Sequence, residues 1–502
     1  MVKEWVKYII WVGGATLWAT ICFIIPDFAD NPIGNVRALA SVIAYIFSVS
    51  IFHFFLLYLI GANKYICAGV LPIYAIAGAI CSYYRYFYHV SITPLLLDAT
   101  IHTTVQEASG VISIWLILWV LLCLSVGIGF CYLRFHLFNQ RVPLWSVLIL
   151  IVFGCGYYFA IPRLREGLNT RYPLNVLHST IECIKNSHKV ATVRTTPKYE
   201  RENIPDSLTV IVVLGEAVRA DHLQLNGYKR ETTPKLMRRK NIVSLPNIYS
   251  PYTNTTSSIP HIITRADSAH ADYAYTEHSF VTIFRQEHFN TVWLSNQDLA
   301  EALYDFLLEP DTVIYTKAAI QQSLYGKWLD GELLPIFEES INHSQQLIIL
   351  HMVGSHWLYD THVTDDFCVF HPTISNRDVR LNTIEQIVNS YDNSIVYMDS
   401  FLDTIIKKIE NRPAILLYLS DHGESLGEGG RFLHAQEDAE EEKRPAAIIW
   451  YSDQYEYLFP QKVAALKSNH LNHYRTDYLY HSVLSAAGIE ISGENSGLDI
   501  FR

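Results

Sequence analysis

The sequence predicts an N-terminal domain of five transmembrane helices followed by a soluble α/β domain with a mainly parallel sheet. Three observations predict it. Only 12 of the 87 charged residues lie in the first 162 of 502 positions. Five stretches in that region reach the roughly 20 apolar residues that a membrane helix needs. Beyond them, short β-branched runs alternate with helical patterns, the mark of a parallel sheet with crossover helices. Disorder, a collagen-like chain and a small disulfide scaffold are excluded by 50% hydrophobic content and eight cysteines in this length. A net charge of −11 with no Lys/Arg stripe argues against a nucleic-acid binder.

The expected spans are 5–25, 38–61, 66–84, 111–133 and 143–162. The first is too long in its apolar run for a cleavable signal peptide, and no small-x-small site follows it. Lys3, Lys7, Lys64, Arg134 and Arg141 fall on one side of the membrane if the N-terminus is cytoplasmic, against Arg37 and Arg85 on the other. This bias points to a cytoplasmic N-terminus. Five spans then carry the C-terminal domain outside the cytoplasm. Six cysteines lie in spans, where they serve as small apolar residues. Cys183 and Cys368 belong to the soluble part, either as one disulfide or as two thiols.

The longest connection between spans, 85–110, holds the segment 91–108, which reads as an amphipathic helix at the membrane surface. Thr103 and Glu107 are four apart and share a face. That face either binds a cationic lipid headgroup or is solvated. Residues 163–205 read as a linker, with Pro173, Pro197 and Pro205 and a short helix near 174–186.

The soluble domain, 206–502, contains three buried-strand runs at 208–215, 347–354 and 414–419, and a helical pattern at 385–409. In such sheets the site forms just past the strand carboxyl ends. Those ends deliver Gly215-Glu216, Gly354-Ser355-His356 and Ser420-Asp421-His422-Gly423-Glu424. Carboxylate oxygens with an imidazole nitrogen make a plausible Zn²⁺ set with an open position. The hydroxyl-rich run 252–260 either makes ordinary turns and caps or supplies a nucleophile at a helix start. A metal would lower the pKa of such a hydroxyl. The acidic run from Glu437 to Glu442 reads as a solvated face, with recognition of a cationic acceptor as the alternative.

Residues 215–234, from Gly215-Glu216-Ala217 through Asn226-Gly227-Tyr228 to Thr233-Pro234, resemble the signature of bacterial phosphoethanolamine transferases. The segment Ser420–Glu428 followed by Phe432-Leu433-His434 is a second match. These are inner-membrane enzymes of the alkaline phosphatase/sulfatase superfamily that modify lipopolysaccharide and include colistin-resistance enzymes. The resemblance implies one or two Zn²⁺ ions. It also implies a ligand set of Glu216, Thr255, Asp421 and His422, with Thr255 as the nucleophile.

Thr255 lies five residues before Pro260 in a segment similar to the family's Thr-x-x-Ser-x-Pro, and 39 residues after Glu216. Thr253 and Thr256 are alternatives. By the same resemblance His356 and His434 hold the phosphoethanolamine group or a second zinc, and Asn296 and Gln297 contact the headgroup. Thr103 and Glu107 match the last two positions of a family Asn-x-x-x-Thr-x-x-x-Glu pattern, with Ala99 in place of its Asn. The family's cysteine flanking the nucleophile loop is missing. Asn254 and His261 stand near those positions.

The implied reaction is transfer of phosphoethanolamine from phosphatidylethanolamine to lipid A or a core sugar, through a covalent phospho-threonine intermediate. The implied location is the bacterial inner membrane with a periplasmic catalytic domain. A phosphoglycerol transferase or phosphodiester hydrolase on the same fold, and an inactive membrane-anchored binding protein, are the rival readings. A formylglycine sulfatase is disfavoured because no Cys-x-Pro-x-Arg motif occurs.

Overall fold

The computed structural model describes residues 2–28, 36–88, 112–137, 142–153 except Leu144 and Leu150, 172–187, 194–297 except Asn203, 303–316 except Tyr304, 327–492 and 496–502, together with Ile92, Leu97 and Thr100. Two compact units form, parting at Lys185–Asn186.

In the first unit the apolar runs become α1 (Val2–Ala19), α2 (Val36–Ala62), α3 (Lys64–Tyr88) and α4 (Ile114–Leu137). Four stretches among the described residues are long and apolar enough to cross a membrane: Trp5–Ile24, Val42–Ala62, Lys64–Phe87 and Ile114–Leu137. These are the first four of the five expected spans, found among the described residues. Of the expected fifth span, 145–149 and 151–153 are helical and 154–162 lie outside the described residues.

Several buried polar groups among the described residues of the bundle pair internally, as an apolar surrounding favours. Trp11 Nε1 donates to the Phe130 carbonyl at 2.9 Å. Buried Arg134 Nε donates to the Gly61 carbonyl at the end of α2, at 2.6 Å. Buried His53 contacts the Tyr74 hydroxyl through Nδ1 and the Tyr172 carbonyl through Nε2. The expected linker helix forms as α5 (Leu174–Ser187).

The second unit begins with β1 (Tyr199–Arg201), followed by β2 (Leu208–Gly215), β3 (Ile242–Ser244) and α6 (Thr255–Ile263). Next come α7 (Phe280–Gln286), β4 (Asn290–Ser295), β5 (Thr312–Tyr315), α8 (Leu333–Ser340) and β6 (Gln345–His351). The chain closes with α9 (Ile384–Ile409), β7 (Ala414–Ser420), β8 (Ala447–Tyr451), α10 (Tyr478–Ala486) and β9 (Ile489–Ile491).

Seven strands make one sheet in the order β3-β8-β7-β2-β6-β4-β5. The five strands from β7 to β5 are parallel. β8 runs antiparallel to both β7 and β3, so the sheet is mixed at one edge. No long apolar run announces β3, a half-buried edge of three residues, and this is why the sequence missed it. β1, placed in the linker by the sequence, pairs with β9 and so belongs to this unit.

Every residue of β2 is buried, as a central parallel strand covered on both faces requires. Val210, Val212 and Leu214 share a core with Leu347, Ile349 and Leu417, and with Phe280, Phe284 and Trp293. Trp293 is fully buried at the centre of β4. Trp293→Ala is expected to cost about 3–5 kcal/mol, read as a lower melting temperature of the detergent-solubilised chain.

Helix α9 begins at a capping box between Thr383 and Gln386. Ile387, Tyr391 and Ile395, each four apart, line its buried face. Its buried Asp392 accepts from His222 Nδ1 at 2.7 Å, Arg230 Nη1 at 2.8 Å and Tyr228 Oη at 3.0 Å. Asp399 accepts from the Lys235 and Leu236 N–H groups, each at 2.9 Å. Much of the 215–234 signature is therefore structural. It binds the segment after Glu216 to α9.

Candidate active site

Glu216 leaves β2 one residue past its end, where Gly215 is required by close approach. A Cβ there would lie 2.4 Å from Tyr418 Oη. Ala217 follows with φ +58°, a strained conformation for a non-glycine residue. Its N–H donates to Asp421 Oδ1 at 3.3 Å. Asp421 and His422 leave the neighbouring β7, in register with β2. All three site residues are buried.

Three atoms face one another. His422 Nε2 lies 3.3 Å from Glu216 Oε1 and 3.4 Å from Asp421 Oδ2. None of the three has a hydrogen-bond partner, although each is buried. Their other polar atoms are spoken for. His422 Nδ1 donates to the Gly423 carbonyl at 2.7 Å, which leaves Nε2 as the ring nitrogen that faces the two carboxylates. Asp421 Oδ1 accepts from the His422 N–H at 2.8 Å. Buried polar atoms are ordinarily paired. Three orphans converging from two carboxylates and an imidazole make the donor set of a divalent cation such as zinc.

The electrostatics agree. Burial penalises the charge on His422, but Asp421 and Glu216 outweigh it and lift the imidazole to about 10. Burial and the charge of Glu216 push the Asp421 carboxyl up to about 7. Burial also opposes ionisation of Glu216, and His422 overcomes it, holding the carboxyl below its usual range. Two buried carboxylates thus draw positive charge to this point.

Thr255 opens α6. Its Oγ1 donates to Glu216 Oε2 at 2.8 Å. Asn254 caps this helix by accepting from the Ser257 N–H at 3.0 Å. His261 Nε2 pairs with Tyr252 Oη at 2.9 Å across the same loop. The two residues standing where a flanking cysteine was expected therefore hold the loop by a cap and a hydrogen bond. The helix start favours an anionic group near Thr255. Of the alternatives, Thr253 passes its carbonyl to the Ala435 N–H at 2.8 Å, and Thr256 Oγ1 lies 3.5 Å from Asn254 Oδ1.

His356 and His434 lie beside this cluster, their rings 5.3 Å apart, and His434 is 4.6 Å from the His422 ring. Both come within reach of a cation shared with Glu216. His434 Nδ1 is 2.8 Å from Glu424 Oε2, and Tyr359 Oη donates to Glu424 Oε1 at 2.8 Å.

Gln297 donates to Glu216 Oε2 at 3.2 Å and to the Met352 carbonyl at 3.0 Å. Asn296 is fully buried. Its side chain is engaged by Asp330, Thr316 and Trp328. Thr103 and Glu107 lie outside the described residues.

The acidic run departs from a solvated face. Glu442 is buried, accepting from Ser425 Oγ at 2.7 Å and the Gln436 N–H at 2.8 Å. Glu441 pairs with Arg431 at 3.1 Å. Cys368 is a free thiol. Glu424 and Asp330 were given no role by the sequence, and Glu442 was placed only in the acidic run. Glu424 sat inside the second motif, whereas Asp330 reads as an ordinary helix start.

The family model for sulfatases matches residues 208–489, and that for the phosphoethanolamine transferases EptA/EptB matches 49–187. Fold and site thus define a sulfatase-type domain behind membrane helices. The chain belongs to the phosphoethanolamine transferase family. It is 27% identical to phosphoethanolamine transferase EptA of Escherichia coli K12 over 468 residues, covering 86% of this chain and 84% of the relative. The structure of the integral membrane lipooligosaccharide phosphoethanolamine transferase A of Neisseria meningitidis has a similar fold. Its TM-score is 0.83 at 23% identity, covering 98% of each chain. The C-terminal periplasmic domain of Escherichia coli EptC, solved with zinc, matches at TM-score 0.55 and 23% identity, covering 62% of this chain and 90% of that one.

Proposed function

We propose that this enzyme transfers phosphoethanolamine from phosphatidylethanolamine to a lipopolysaccharide acceptor, lipid A or a core sugar, through Thr255. The observation that carries the reading is the Thr255 hydroxyl donating to Glu216 beside three orphaned ligand atoms. Glu216, Thr255, Asp421 and His422 would hold one zinc, and His356 and His434 would border the headgroup or a second ion. Bound there, zinc would lower the threonine pKa and offset charge developing on the phosphate. The zinc-containing relative supports this choice of metal.

In the first step Thr255 Oγ1 bonds to phosphorus and the bond from phosphorus to the diacylglycerol oxygen breaks. The Thr255 hydroxyl gives up its proton to solvent before attack, because the Glu216 carboxyl, held below its usual range, is too weak a base to keep it. His434, oriented by Glu424, protonates the departing oxygen. In the second step an acceptor oxygen bonds to phosphorus, the bond from phosphorus to Thr255 Oγ1 breaks, Thr255 departs as the same deprotonated oxygen that attacked, and His434 receives the acceptor's proton. His356 and Gln297 border the headgroup. Thr103 and Glu107 hold the donor lipid from the membrane segment. The catalytic part, 206–502, works on the periplasmic side of the inner membrane, tethered through 163–205 to a membrane domain of 1–162 whose N-terminus is cytoplasmic.

His434→Asn is expected to lower turnover by about 100-fold or more while the chain still folds. Undiminished turnover would remove His434 from the mechanism. The reading as a whole is tested by mass spectrometry of lipid A and core oligosaccharide from cells with and without the gene. An added phosphoethanolamine group on one fragment supports it. An added phosphoglycerol group, or no difference, contradicts it.

A further inference from the structure

Asp330 is a buried carboxylate that the mechanism does not use. It stands at the start of the turn leading into α8, between the ends of β4 and β6. Oδ1 accepts from Asn296 Nδ2 at 2.8 Å and from the Val353 N–H at 2.9 Å. Oδ2 accepts from the Gly354 N–H at 2.9 Å. Burial pushes its carboxyl up to about 6 against these hydrogen bonds.

Each contact starts a path that ends on Glu216. Through Asn296 the path passes to Gln297, whose Nε2 donates to Glu216 Oε2 at 3.2 Å. Trp328 Nε1 fastens the Asn296 carbonyl at 2.8 Å, so this arm is braced from both sides. Through Val353 and Gly354 the path reaches the Glu216 backbone. Gly354 has φ +53°, and a Cβ there would lie 2.7 Å from the Glu216 carbonyl oxygen and 2.9 Å from its Cβ. The next N–H, of Ser355, donates to that same carbonyl at 3.0 Å. Glu216 Oε2 is thus occupied by Thr255 and Gln297, and Oε1 is left pointing at His422 Nε2.

We propose that Asp330 is the positioning residue for Glu216, fixing through Asn296–Gln297 and Val353–Gly354 which carboxylate oxygen is presented as a ligand. The inference rests on the reading of Glu216 as a zinc ligand. An amide at position 330 is isosteric but turns one acceptor oxygen into a donor, which then faces the N–H of Asn296, Val353 or Gly354. Both arms slacken together, and His356, two residues past Gly354, loosens with them.

The test compares the detergent-solubilised full chain with its Asp330→Asn variant. The readouts are zinc affinity by competition with a chromophoric chelator, and kcat and KM with phosphatidylethanolamine. Zinc affinity is expected to fall about 10- to 100-fold, the range for partners that orient a ligand. kcat should fall by a similar factor, with KM for the donor changed by less than about twofold. Gln297→Leu cuts one arm at its far end and is expected to cost about tenfold in zinc affinity. It decides the matter if Asp330→Asn does not fold. A folded Asp330→Asn with unchanged zinc affinity and kcat overturns the proposal. So does an unchanged Gln297→Leu beside an unfolded Asp330→Asn. Glu216→Gln separates the two readings. If the wild-type chain holds zinc and Glu216→Gln keeps it equally well, the ligand reading fails and this inference with it. If Glu216→Gln loses zinc and Asp330→Asn does not, only this inference fails.

Discussion

Thr255→Ala is expected to abolish transfer, lowering turnover by at least about 10³-fold, because a lost nucleophile removes the covalent route. The hydroxyl is small and lies at the first turn of α6, where alanine is an excellent helix former. The Asn254 cap and the Tyr252–His261 hydrogen bond do not involve the Thr255 side chain. The fold should therefore survive, seen as an unchanged circular dichroism spectrum. Glu216 Oε2 keeps its bond from Gln297. Zinc should be held more weakly but not lost, since Glu216, Asp421 and His422 remain. Thr255→Ser restores a hydroxyl at the same carbon and is expected to recover part of the turnover. Full activity in the alanine variant would transfer the nucleophile's role to another group, with Thr253 and Thr256 the nearest hydroxyls in sequence.

The second large effect is expected at Asp421. In Asp421→Asn the oxygen that accepts from Ala217 and His422 is retained, and the orphaned Oδ2 becomes an NH₂ group. That group has no lone pair to offer a cation, and it faces His422 Nε2 at the distance where Oδ2 stood, 3.4 Å. Zinc affinity is expected to drop by more than about 100-fold, beyond the loss for residues that merely orient a ligand. Turnover should fall with it. The metal-free variant should melt no lower than the metal-free wild type. Glu216 and Asp421 are two buried carboxylates that repel, and the change removes one charge. Equal zinc content in the variant and the wild type would show that Asp421 is not a ligand.

The residues that carry these effects were legible because a parallel sheet writes its site into sequence. The three β-branched runs became β2, β6 and β7, and Glu216, Asp421 and His422 follow directly at strand ends. The run at 347–354 overshot, since β6 ends at His351 and Met352 begins the turn that Asp330 holds. What sequence could not reveal was long-range pairing. Asp330 lies 34 residues from Asn296, its amide donor, and nothing local distinguishes it from a helix start. Glu442 looked solvated because its neighbours are acidic, yet Ser425 and the Gln436 N–H draw it inside. Within the 215–234 signature, the sequence did not show that Tyr228 and Arg230 serve Asp392 on α9. Edge strand β3 was invisible for the opposite reason, since three half-buried residues leave no pattern to read.

The central claim is that Thr255 carries the phosphoethanolamine group between donor and acceptor. It is tested most directly by incubating the purified, zinc-loaded full chain with phosphatidylethanolamine and no acceptor, then mapping its peptides by mass spectrometry. The expected result is one phosphoethanolamine group on the peptide containing Thr255, absent from the Thr255→Ala chain. An unmodified peptide accompanied by diacylglycerol release, or the group found on another residue, would contradict the account.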